Sequence, residues 1–104
     1  MHTSTPPHRS PRAQESREQE LARFQERLKA LERECQLFRT YGSWQDESHR
    51  TRARRLLREL NALERLFSGD RSLPLQLAFV QQNLLLRYQT FKRTYRQFWE
   101  LLTG

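Results

Sequence analysis

The residue types best placed to do chemistry in this chain are arginines. Arg50, Arg54, Arg58 and Arg65 recur so that, at about 100° per residue, they fall within an arc of roughly 80° on one side of a helix. A guanidinium is permanently charged and presents a planar fork of donors that matches phosphate and carboxylate. At 1.5 Å per residue the row is about 22 Å long, enough to meet several phosphates of a nucleic acid or the face of an acidic protein. Like charges one turn apart repel by a few tenths of a kcal/mol each, and only Glu47 and Asn61 dilute this row. An anionic partner would relieve that repulsion; a plain solvated helix face is the simpler alternative. Arg87, Lys92, Arg93 and Arg96 form a second basic segment.

Catalytic constellations are absent from the sequence. The three glycines, Gly42, Gly69 and Gly104, build no phosphate loop, and His49 has only Asp46 at i−3 as a neighbour of metal-ligand type. His2 and His8 lie in a loose tail, and the single Cys35 excludes an internal disulfide or a multi-cysteine zinc site. The acids of the first periodic segment alternate with bases, as in Glu20, Arg23, Glu26, Lys29 and Glu32, a pattern of a solvated face with nothing to perturb a carboxyl. We therefore expect no enzymatic activity, no cofactor, no metal and no small-molecule substrate.

A third group is apolar. Leu75, Phe79 and Leu86 project to the side of their helix opposite its main stripe of Leu77, Val80, Leu84, Tyr88, Phe91, Tyr95, Phe98 and Leu102, where charges would be normal. A second apolar strip implies either extra covering within the fold, for which Leu37 and Trp44 are available, or a docking surface for a protein partner or a second copy.

The elements that must carry these groups follow from periodicity. Residues 1–13 are rich in Pro, Ser and His and hold no large apolar residue beyond Met1, so they read as a disordered tail. Residues 14–41 carry Leu21, Phe24, Leu28, Leu31, Cys35 and Phe38 at spacings of three and four, the seam of a coiled-coil-like helix. Gly42 suits a left-handed cap, and Ser43 with Asp46 resembles a capping box opening a second helix over 44–68, with Ala53, Leu56, Leu60, Leu63 and Phe67 inward and Leu57 and Leu66 at the edges. Gly69 and Ser72 before Pro74 mark a second turn, and the third helix is predicted over 73–102. Nothing reads as strand.

With 104 residues there is room for one core. The expected fold is all-α: an elongated antiparallel three-helix bundle with coiled-coil-like packing, 14–104, behind a disordered tail. The formal charge of +7 favours acidic partners. No stretch approaches the roughly 20 apolar residues of a membrane span and no secretory leader is visible, so the chain is expected to be soluble and intracellular, cytoplasmic or, in a eukaryote, nuclear. The expected function is that of a small helical adaptor or regulatory protein that docks or oligomerises through Leu75, Phe79 and Leu86. The alternative is a basic protein that grips nucleic-acid backbone through Arg50, Arg54, Arg58 and Arg65. Its aromatics lie on core-facing stripes, so base reading is not expected.

Overall fold

The computed structural model describes residues 11–44, 46–68 and 73–103, with side chains from residue 16 onward. These residues form four helices and, among the described residues, no strand: α1 (Pro11–Tyr41), α2 (Glu47–Ser68), α3 (Leu75–Thr94) and α4 (Arg96–Thr103). Glu34 meets His49, Arg27 meets Glu59 and Phe24 meets Phe67, so α2 runs antiparallel to α1. Arg17 meets Gln81, Glu32 meets Arg87 and Arg39 meets Tyr95, so α3 runs alongside α1 in the same direction. The result is a narrow molecule of 60 × 23 × 20 Å.

The seams predicted for the first two helices are buried: Leu21, Phe24, Leu28, Leu31 and Cys35 on α1 face Ala53, Leu56, Leu57, Leu60, Leu63 and Phe67 on α2. Leu84, Tyr88 and Phe91 of α3 and Phe98 and Leu102 of α4 complete the core. Each such Leu or Phe contributes about 1.5–3 kcal/mol by leaving water. Phe24 is the middle of one aromatic cluster, 5.5 Å from Phe67 and 5.6 Å, edge to face, from Tyr88. Phe38, Trp44 and Phe98 close the opposite end with centroids 4.9–5.7 Å apart.

Several boundaries differ from expectation. Helix α1 is already formed at Pro11, where a proline's missing N–H and fixed φ are tolerated; residues 1–10 of the expected tail lie outside the described residues. Gly42 does adopt the left-handed conformation, φ 71°, and its N–H donates to the Phe38 carbonyl at 2.8 Å. Helix α2 starts at Glu47 rather than at 44, because Asp46 and not Ser43 is the cap: its Oδ1 accepts the His49 N–H at 3.1 Å and the Ser48 hydroxyl. Trp44 thus stays in the connection as a plug. Gly69 and Ser72, the expected second turn, lie outside the described residues, and α3 begins after Pro74, whose carbonyl accepts the Ala78 N–H at 2.9 Å.

The expected single third helix is two helices. Tyr95, at φ −112° and ψ 50°, breaks it. Up to that point the path packs on α1; beyond it α4 leans onto α2, which seats Phe98 against Trp44 and returns Trp99 to within 6.1 Å of Tyr88. In an unbroken helix Tyr88 and Trp99 would be separated by about 16 Å of axial rise. Two members of the predicted stripes also fall outside the core: Val80 and Leu66, at the edges of their helices, are exposed.

Candidate functional site

Helix α3 opens with the sequence from Leu75 to Leu86, twelve residues without a single charge in a chain that is 30% charged. Its inward side is pinned from beneath. Buried Gln81 accepts a 2.7 Å hydrogen bond from Nη1 of buried Arg17 and donates from Nε2 to the Phe67 carbonyl at 3.3 Å, tying α3 to both α1 and α2. Arg17 itself lies 4.9 Å over the Phe67 ring and bonds Glu20 at 2.9 Å. A buried polar network of this kind fixes one rotation of a helix about its axis, since slipping it would strand the charge.

That rotation sends the second apolar strip outward. Leu75 is 84% exposed, Phe79 69% and Leu86 58%, with Val80 beside them at 46%. Leu37 and Trp44 do not cover the strip; Trp44 sits on Phe38 and Phe98 at the far end of the molecule. Beside Leu86 the surface dips into a recess of about 360 Å³ floored by Ala78, Gln81 and Leu85 and edged by Leu73 and Gln89. The structure thus brings Leu75, Phe79 and Leu86 together as one uncharged, half-concave face.

The basic residues fall into two environments. Arg50 has Glu47 at 4.0 Å, while among the described residues Arg54, Arg58 and Arg65 have no carboxylate within ion-pair distance. Arg58 and Arg65 are exposed and Arg54 is half-buried. Sequence reading missed the cations that face each other across two helices. Lys29 and Arg33 of α1 and Arg52 and Arg55 of α2 line a groove of about 620 Å³, all four exposed and, among the described residues, none within 4.0 Å of a carboxylate. One part of the groove is neutralised, where Arg27 bonds Glu59 at 3.1 Å and Glu26 at 3.3 Å. The other basic segment is largely neutralised too: Arg87 forks onto Glu32 at 2.6 and 3.1 Å, Lys92 reaches Glu64 at 3.6 Å and lies 4.4 Å over Tyr88, and Arg96 holds Glu100 at 3.0 Å. Of that segment, only Arg93 has no carboxylate partner among the described residues.

Comparison with known proteins finds no matching family model, no matching curated protein and no matching solved structure. Functional assignment therefore rests on the two surfaces just described and on the chemistry of the remaining titratable groups.

Those groups are engaged in structure. The His49 ring pairs through Nδ1 with Oε1 of buried Glu34 at 2.9 Å, joining α2 to α1, while its backbone N–H completes the Asp46 cap. Burial pushes the Cys35 thiol up to about 11, opposed by Arg39, so it stays protonated and poorly nucleophilic at neutral pH. Tyr88 is likewise raised, by burial first and by the Glu64 charge second, and its hydroxyl donates to Asn61 Oδ1 at 2.7 Å. Asp46 is held below the usual carboxylate range by the Ser48 hydroxyl and the His49 N–H. Among the described residues no His, Cys, Asp and Glu cluster could hold a metal ion, and no helix is long and apolar enough to cross a membrane.

Proposed function

We propose that this chain is a non-enzymatic helical docking protein, an adaptor or regulatory subunit that binds the amphipathic helix of a protein partner through the outward face of α3. The single observation behind this reading is the exposure of Leu75, Phe79 and Leu86 on a helix whose opposite side is locked to the core through Gln81. An uncharged, apolar strip flanking a shallow recess favours a partner helix with an uncharged apolar stripe and small residues at the point of closest approach. On this reading α3 and α4 act together as the third rod of a bundle with coiled-coil-like seams, working inside the cell.

The test is a comparison of wild type with the L75Q/F79Q/L86Q variant by cross-linking pull-down from native extract and by sedimentation velocity. The reading requires a discrete partner, or a dimer of the chain itself, that the wild type retains and the variant loses while α-helical content is unchanged. A monodisperse monomer whose captured proteins are identical with and without the three substitutions would refute it.

A further inference from the structure

We propose that the groove between α1 and α2 is a binding site for the phosphodiester backbone of duplex nucleic acid, gripped by Lys29, Arg33, Arg52 and Arg55. This site is separate from the α3 face and goes beyond the docking function. Lys29 and Arg33 are one turn apart on α1, Arg52 and Arg55 less than a turn apart on α2, and packed helices lie about 8–10 Å axis to axis, so four positive charges share a patch on the order of 10 Å across. Arg27 at the edge of the same groove and Arg17, Arg87, Lys92 and Arg96 elsewhere each have a carboxylate within 4.0 Å; among the described residues Arg23, Arg39, Arg54, Arg58, Arg65 and Arg93 have none, and what sets these four cations of the groove apart is that they meet across it. Leaving these four unpaired on facing helices means mutual repulsion, which a bound polyanion turns into attraction.

Three observations select the ligand. The only apolar side chains lining the groove are buried Leu56 and half-buried Ala30. An acidic protein segment binds chiefly through apolar anchors with charge at the rim, so it would find no anchor here. Cations without a carboxylate partner among the described residues also continue along α2 as a band that winds away from the groove, Arg58 about 60° and Arg65 about 80° round the helix from Arg55. From Arg52 to Arg65 that is about 20 Å, longer than a phosphorylated metabolite, and about six phosphates' worth of duplex at 3.4 Å of axis per phosphate on each strand. Finally, no aromatic side chain lines the groove, so nothing in it stacks an unpaired base. Backbone recognition of a duplex is what remains, without sequence reading.

The measurement is fluorescence anisotropy of a fluorescein-labelled 20-base-pair DNA duplex titrated with the full chain between 50 and 200 mM KCl. Four phosphate contacts predict a slope of about −3.6 in log K against log salt, or a loss of about 150-fold over that range, steeper if Arg58 and Arg65 join. The K29Q/R33Q/R52Q/R55Q variant should lose about 3.6 from the slope's magnitude and R52Q/R55Q about 1.8. The R87Q/R96Q control and the L75Q/F79Q/L86Q variant should match wild type, which separates this site from the docking face. Circular dichroism checks that each variant is helical; if the quadruple change fails to fold, the double variant carries the test. Unlabelled duplex should displace the probe and polyglutamate of equal total charge should not. No anisotropy change at 50 mM KCl, an unaltered slope in the groove variants, or equal displacement by polyglutamate would each overturn the proposal, the last in favour of an acidic protein ligand.

Discussion

The most informative perturbation is replacement of Leu75, Phe79 and Leu86 together by glutamine, because it must separate folding from docking. Full burial of a Leu or Phe side chain is worth about 1.5–3 kcal/mol. With 84%, 69% and 58% of their surfaces already in water, the three residues contribute to the fold only through the remainder, at most about 3 kcal/mol together. Glutamine and leucine have similar helix propensities, so α3 itself loses little. The contrast is Leu84, on the opposite side of the same helix and buried, where truncation to alanine alone should cost about 2–5 kcal/mol. On docking, the strip's exposed part is what would be covered, worth on the order of 5 kcal/mol before the costs of association. A loss of at least about 100-fold in affinity for the captured partner, or in the dimer constant, is therefore expected. Thermal unfolding followed at 222 nm reads the first effect, and titration of the purified partner by calorimetry, or sedimentation equilibrium of the chain alone, reads the second. A triple variant that unfolds as readily as Leu84→Ala would show that the strip belongs to the core. A triple variant that binds as tightly as wild type would show that the partner sits elsewhere.

Other consequences follow from single contacts. Phe24→Ala should destabilise by about 3–5 kcal/mol, since it empties the space between Phe67 and Tyr88; chemical denaturation measures it. Gly42→Ala places a Cβ at φ 71°, where open space surrounds it but the backbone disfavours it, and should cost about 1 kcal/mol in the same assay. The lowered Asp46 carboxyl stabilises the fold above its ordinary value of 3.8, and that contribution is lost as pH falls through the still lower folded value. Asp46→Asn should therefore keep the cap yet flatten the acid limb of a melting-temperature profile between pH 5 and 2, on the order of the range in which an unperturbed and a lowered carboxyl titrate.

Much of the architecture was legible because apolar periodicity reports which side of a helix is covered. The seams from Leu21 to Cys35 and from Ala53 to Phe67 are core, and the Gly42 cap is where its sequence placed it. The surplus strip of Leu75, Phe79 and Leu86 was visible for the same reason: three apolar residues sat on the wrong side of a stripe. Periodicity says nothing about where an axis bends, however. The break at Tyr95 arises from the gain of seating Phe98 and Trp99 against Trp44 and Tyr88, contacts between residues distant in sequence. The charges show the same limit. Glu20 to Glu32 read as one alternating row on α1, yet Glu20 serves Arg17, Glu26 serves Arg27 and Glu32 reaches Arg87 of α3, which leaves Lys29 unpaired beside Arg33. A row along one helix can be read from spacing. The groove of Lys29, Arg33, Arg52 and Arg55 depends on how α1 and α2 are rotated toward each other, and a signal for it existed only in the four-residue step from Lys29 to Arg33 and its counterpart on α2.

Thiol labelling of a Phe79→Cys variant addresses the outward face of α3 most directly, because the native Cys35 is buried and serves as an internal control. In the free chain the introduced thiol should react at nearly the rate of a small-molecule thiol while Cys35 stays protected, and saturation with the captured partner should then suppress labelling at position 79. Protection of that thiol in the free monomer, or unchanged labelling in the saturated complex, would contradict the assignment of this face as the docking surface.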